Sequence, residues 1–138
     1  MFCCHSATLS GRHSPNSIEA VRECVEARVP RLEVDVQFLA DDSMLVFHDA
    51  QFDAAAGGSG KVAEATRASA GLALHPAGET IAFLEDVVSA MAGSETVLQV
   101  DLKLSRPITP RRAQLLEDAL EPLRGYVLVG SQAHWNLR

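Results

Sequence analysis

The chain has 138 residues, 47% of them hydrophobic and 22% charged, and its 12 Lys and Arg against 18 Asp and Glu give a formal net charge of −6. That length sustains one domain with its own core, and the acidic balance argues against nucleic acid as a partner. No apolar run reaches membrane-spanning length, so no integral membrane segment is expected, and the N-terminus lacks the order of a signal peptide. Cys3, Cys4 and Cys24 show neither zinc spacing nor an even count, which points to a reducing, cytoplasmic setting.

Phe2 to His5 is a short apolar start. A helix is predicted from Asn16, which can cap it, with Glu19 completing a capping box and Ile18, Val21 and Val25 forming an apolar stripe. Arg31 to Leu39 reads as a strand in which Leu32, Val34 and Val36 alternate with Glu33, Asp35 and Gln37. Asp41-Asp42-Ser43 makes a turn into a second extended run, Met44 to His48.

From Ala50 to Gly78 the chain is rich in Ala and Gly, with a loop at Gly57-Gly58-Ser59-Gly60 and a short helix over Ala63 to Leu72. A firmer helix is predicted over Ile81 to Met91, where Leu84, Val87, Val88 and Met91 share a face and Gly93 ends it. Val97 to Lys103 repeats the strand pattern, with Gln99, Asp101 and Lys103 opposite Leu98, Val100 and Leu102. Thr109-Pro110 starts a helix whose stripe of Ala113, Leu116, Leu120 and Leu123 runs to Gly125, and Tyr126 to Val129 is a last apolar strand.

Strand-helix alternation predicts an α/β fold with a parallel sheet. Strands of such sheets are usually apolar on both faces, yet two here carry polar residues near their C-terminal ends, where a (β/α)8 barrel builds its active site. A whole barrel takes about 250 residues. The expectation is therefore a single incomplete domain over residues 1–138, with about the first four strand-helix units of a TIM barrel. Self-association or a missing C-terminal half would close its open edges.

Glu33 and Asp35 project from one strand face with Cα atoms roughly 6.5–7 Å apart. An isolated E-x-D is ordinarily a solvated strand face, but a parallel sheet between helices offers no such face, and the pattern recurs at Asp101 and Lys103. His48-Asp49 alone reads as a turn; its place just beyond the acid-bearing strand, with His5 ending the first segment at the same rim, favours function. Acids converging beside imidazoles suit a hard divalent cation and an acid/base pair, hence metal-assisted hydrolysis.

The order of His5, Pro15-Asn16-Ser17-Ile18-Glu19-Ala20, Leu32-Glu33-Val34-Asp35-Val36-Gln37, Val46-Phe47-His48-Asp49 and Asp101-Leu102-Lys103 resembles the glycerophosphodiester phosphodiesterase family. Gly58-Ser59-Gly60-Lys61-Val62, Phe83-Leu84-Glu85-Asp86-Val87 and Val129-Gly130-Ser131-Gln132 look like further segments of it. The resemblance implies a TIM barrel that hydrolyses small-molecule glycerophosphodiesters to glycerol 3-phosphate and an alcohol. It implies Glu33, Asp35 and Asp101 as ligands of Mg²⁺ or Ca²⁺, Lys103 facing phosphate, and His5 and His48 as general base and general acid. Three positions depart from the family pattern: Ser6 follows the first His where Arg is usual, Pro15-Asn16 lacks an intervening acid, and Ala54 stands where Arg often follows Phe52-Asp53. Arg12 or His13 could substitute for the Arg lost at Ser6. The same residues also suit a related phospholipase or phospholipid lyase, or an inactive binding module of the same fold.

Overall fold

The computed structural model describes residues 2–53, 58–104 and 106–132; Ala54 and Gly57 lie outside them. A four-stranded sheet has the order β2-β1-β3-β4, with β1 at Arg31–Phe38, β2 at Met44–Val46, β3 at Val97–Leu102 and β4 at Val127–Ser131. β1 and β3 run parallel with Asp35 opposite Asp101, and β3 and β4 run parallel with Asp101 opposite Gly130. β2 is antiparallel to β1, pairing Val36 with Val46 and Phe38 with Met44. The expected all-parallel sheet fails at this strand because the short Asp41-Asp42-Ser43 turn permits only a hairpin; a parallel return needs a crossover.

The apolar start is reduced to one bridge beside the first residues of β1, on the side where β2 pairs with its last ones. There the Cys4 N–H donates to the Arg31 carbonyl (3.0 Å) and the Glu33 N–H to the Cys4 carbonyl (2.9 Å). Farther along, the Phe47 N–H donates to the Asp35 carbonyl (3.0 Å), which carries the chain on to His48.

Three helices cover one sheet face: α1 at Ile18–Glu26, α3 at Leu84–Met91 and α4 at Pro110–Leu120; the short α2 spans Arg67–Ala70. The core between them joins Leu32, Val34, Val36, Leu98, Val100 and Leu102 to Val21, Val87, Met91 and Leu116. This burial is the main stabilising term, of order 25 cal/mol per Å² of apolar surface. A second cluster around Leu39, Leu45, Phe47, Val62 and Phe83 packs the hairpin against the loop that precedes α3.

Helix starts shifted for identifiable reasons. Ser17, not Asn16, caps α1: its side chain accepts the Ala20 N–H, while Asn16 has φ +64° and its amide is engaged at the sheet. α3 begins at Leu84 rather than Ile81, because Phe83 is the capping position and its N–H donates to Asp86 Oδ2 (2.9 Å). The segment expected as one helix over 63–72 is a 3-10 turn at Val62–Glu64 followed by α2, which Thr66 caps.

Candidate active site

Alternation along β1 sends Leu32, Val34 and Val36 into the helix-packed core and Glu33, Asp35 and Gln37 to the opposite face. The register then sets Asp101 of β3 beside Asp35. One carboxylate oxygen from each of Glu33, Asp35 and Asp101 lies within 4.8 Å of the others. Glu33 is 3% exposed and Asp35 0%, so neither is a solvated surface acid.

The turn after Cys4 closes over this face. Ser6 and Ala7 both take positive φ (49° and 54°), unusual for residues with a Cβ and a mark of a constrained site. The Ser6 N–H donates to Glu33 Oε2 (2.7 Å) and its hydroxyl to Asp35 Oδ2 (3.1 Å). Asn16 donates from Nδ2 to the same Asp35 oxygen (2.9 Å) and accepts the Asp35 backbone N–H at Oδ1 (3.0 Å). Lys103 Nζ stands 2.7 Å from Asp101 Oδ2 and 2.9 Å from Asp35 Oδ1.

These contacts split the acids electrostatically. Burial holds the Glu33 carboxyl above its ordinary value against the Ser6 N–H, and the neighbouring charge of Asp35 adds to the rise. Burial pushes Asp35 up as well, but the Asn16 amide, Lys103 and Ser6 outweigh it and leave the carboxyl below its usual range. Lys103 is penalised by burial and more than compensated by Asp101 and Asp35, so its ammonium is held firmly charged.

Asp35 Oδ1 accepts no hydrogen bond of good geometry, although the Lys103 ammonium faces it as an ion pair. An all-oxygen trio whose buried Asp35 Oδ1 makes only an ion pair with Lys103 fits a hard divalent cation, which takes carboxylate oxygens at about 2.0–2.6 Å. Glu33, Asp35 and Asp101 are the residues that would hold it.

His5 Nε2 lies 3.7 Å from Glu33 Oε2, and its Nδ1 is 3.2 Å from Ser6 Oγ. His48 Nδ1 meets Asp49 Oδ1 at 2.8 Å. Gln37, next on the acidic face of β1, fixes the His48 loop by donating to the Phe47 carbonyl (2.7 Å) and the Asp49 carbonyl (2.8 Å). His5, Glu33, Asp35, Asp101 and Lys103 are thus joined by direct contacts, while His48 is carried to the same end of β1 through Gln37.

Neither sequence candidate for replacing an Arg at position 6 contacts the acids. Arg12 donates to Glu23 Oε1 (2.7 Å), and Ser10 and Arg12 together lower the Glu23 carboxyl to about 2. His13 Nδ1 lies 3.2 Å from Glu79 Oε1. Nothing in local pattern marks Ser6 or Gln37 as a site residue, and Asn16 reads there as a helix cap.

The chain matches the sequence pattern of the glycerophosphoryl diester phosphodiesterase family over residues 8–122. No curated protein sequence matches it. Among solved structures, a protein designated a glycerophosphodiester phosphodiesterase from Galdieria sulphuraria superposes with a TM-score of 0.86 at 19% identity, covering 98% of this chain and 57% of the other. A glycerophosphodiester phosphodiesterase from Parabacteroides distasonis gives a TM-score of 0.79 at 21% identity, over 94% and 55% of the two chains. An Oleispira antarctica phosphodiesterase in complex with the product sn-glycerol-3-phosphate gives 0.74 at 18%, over 98% and 58%. The chain therefore spans little more than half the length of these structures, and its sheet corresponds to part of their barrel.

Proposed function

Because the chain belongs to the glycerophosphoryl diester phosphodiesterase family, we propose that it hydrolyses glycerophosphodiesters to glycerol 3-phosphate and an alcohol. Glu33, Asp35 and Asp101 hold Mg²⁺ or Ca²⁺ in this reading. The observation that carries it is the trio of convergent carboxylates on one face of two adjacent parallel strands, with an imidazole against them. The cation would draw charge from the phosphodiester oxygens and orient the phosphorus for attack. The Oleispira antarctica phosphodiesterase holds sn-glycerol-3-phosphate as its product, which supports this reading.

In this reading the imidazoles have different tasks, and their hydrogen bonds support the division. The single Ser6 hydroxyl proton goes to Asp35, so Ser6 Oγ accepts from His5 Nδ1–H. Neutral His5 then presents a bare Nε2, able to take a proton from the attacking hydroxyl, and Glu33 at 3.7 Å stabilises the imidazolium formed. Asp49 Oδ1 at 2.8 Å orients the His48 ring, and a protonated Nε2 would then donate to the departing alkoxide. Lys103 pairs with both Asp35 and Asp101, and its ammonium would be available to the phosphate were a cation held by those acids.

Release of glycerol 3-phosphate from glycerophosphocholine by purified protein, abolished by chelator and by Glu33→Ala, is the expected result. A second reading is a binding module without turnover, favoured by Ser6 standing where the family usually has Arg and by the ammonium bridging the acids. Diester binding by calorimetry with no product release would select it. Closure of the barrel by a second copy or a further half belongs to the same proposal, since Leu128 is 49% and Val129 43% exposed on β4.

A further inference from the structure

A second feature of the same end of the sheet bears on which alcohol the substrate carries. A cleft of about 720 Å³ opens beside the acids, with Lys103 and His48 among its walls and with Lys61, Arg106 and Arg112 farther along. No carboxylate lines it among the described residues, although the whole chain is acidic at −6. The cleft has the size of a small-molecule site.

Its cations are not equivalent. Lys103 is spent on Asp35 and Asp101, Lys61 lies 3.3 Å from Glu64, and Arg112 donates to Asp42 Oδ1 (2.7 Å) and to the Leu39 carbonyl (3.1 Å). Arg106 lines the cleft with no hydrogen bond or ion pair among the described residues. An exposed guanidinium with no protein partner among the described residues, on a cation-rich wall, matches a carboxylate or phosphate better than a quaternary amine. Of the two imidazoles, His48 borders this cleft and His5 does not. The general acid serves the leaving oxygen, so the space beyond His48 receives the alcohol half of the diester.

We infer that this cleft selects glycerophosphodiesters whose alcohol bears a further anionic group, and that Arg106 reads that group. The inference rests on the hydrolase reading for the direction of the substrate, but its binding component can be measured without turnover.

The test compares glycerophosphoinositol, glycerophosphoinositol 4-phosphate and glycerophosphocholine, by calorimetry and by kcat and KM in the presence of Ca²⁺ or Mg²⁺. The expected order of affinity places the 4-phosphate first by roughly fivefold over its unphosphorylated partner and the choline diester last, a preference that shrinks with added salt. Arg106→Gln should erase the advantage through KM or Kd rather than kcat, and Arg106→Glu should reverse it in favour of the choline diester. Equal affinities in the unmodified protein, or an unchanged preference in Arg106→Gln, would overturn the inference while leaving hydrolysis intact. Retained preference with no product from any diester would instead overturn the hydrolase reading alone. Binding of none of the three would remove both.

Discussion

Asn16 and Asp35 hold each other twice: the Asn16 amide oxygen accepts the Asp35 backbone N–H at 3.0 Å, and its Nδ2 donates to Asp35 Oδ2 at 2.9 Å. One side chain thereby fixes both the position of the strand and the charge of the acid it carries. Asn also tolerates the positive φ that its position requires. Asn16→Ala should lower unfolding free energy by about 2–4 kcal/mol, from lost bonds to a buried charge and from backbone strain. Urea denaturation checks this, and Asn16→Gly should recover only the backbone part.

Lys103 occupies the space between Asp35 and Asp101 that a divalent cation would neutralise. Lys103→Met should destabilise the protein without added metal, because buried acids lose their counter-charge. The rise in Tm on adding Ca²⁺ should then exceed that of the unmodified protein. Thermal melts with and without Ca²⁺ decide it; identical shifts would separate Lys103 from the cation site.

The acids should also respond oppositely to pH. Glu33, whose folded pKa is raised, contributes stability fully below its ordinary 4.5, and this is lost as pH rises through the folded value. Asp35, whose folded pKa is lowered, contributes stability above its ordinary 3.8, and this is lost as pH falls through its folded value. Cation binding needs both ionised, so Ca²⁺-induced stabilisation should appear only as pH climbs through a midpoint above 4.5. Calorimetric titration with Ca²⁺ across pH measures that midpoint. A Ca²⁺ affinity that does not rise with pH across this range would take Glu33 out of the ligand set.

His48→Ala should reduce kcat by at least about 100-fold if His48 is the general acid. Ser6→Ala should cost about tenfold, by freeing the His5 ring to exchange tautomers. Nitrogen NMR of the imidazoles separates this positioning effect from a general loss of structure, since Nδ1 should be the protonated nitrogen of His5 only while Ser6 is present.

Exposed Leu128 and Val129 on β4 predict association through that strand. Sedimentation velocity should show a species that grows with concentration, and Val129→Lys should shift it toward the monomer. A sharp monomer at all concentrations would remove self-association.

The amino-acid sequence by itself determined the main strands and helices, the fold class and the shared face of the acids, though not the antiparallel pairing of β2 or the helix starts. Alternation along Leu32 to Gln37 and Val97 to Leu102 settles which side chains meet the helices, and a period of two needs no distant contact to be read. Only the tertiary structure decided that Asn16 leaves its helix to hold Asp35, that Lys103 turns onto two carboxylates, and that Arg12 and His13 bond to Glu23 and Glu79. Those outcomes depend on contacts between residues far apart in the chain, where the strand register and a left-handed turn at Ser6 fix which polar groups come within reach. Local pattern cannot carry that information, because burial obliges each polar group to take whatever partner the fold delivers.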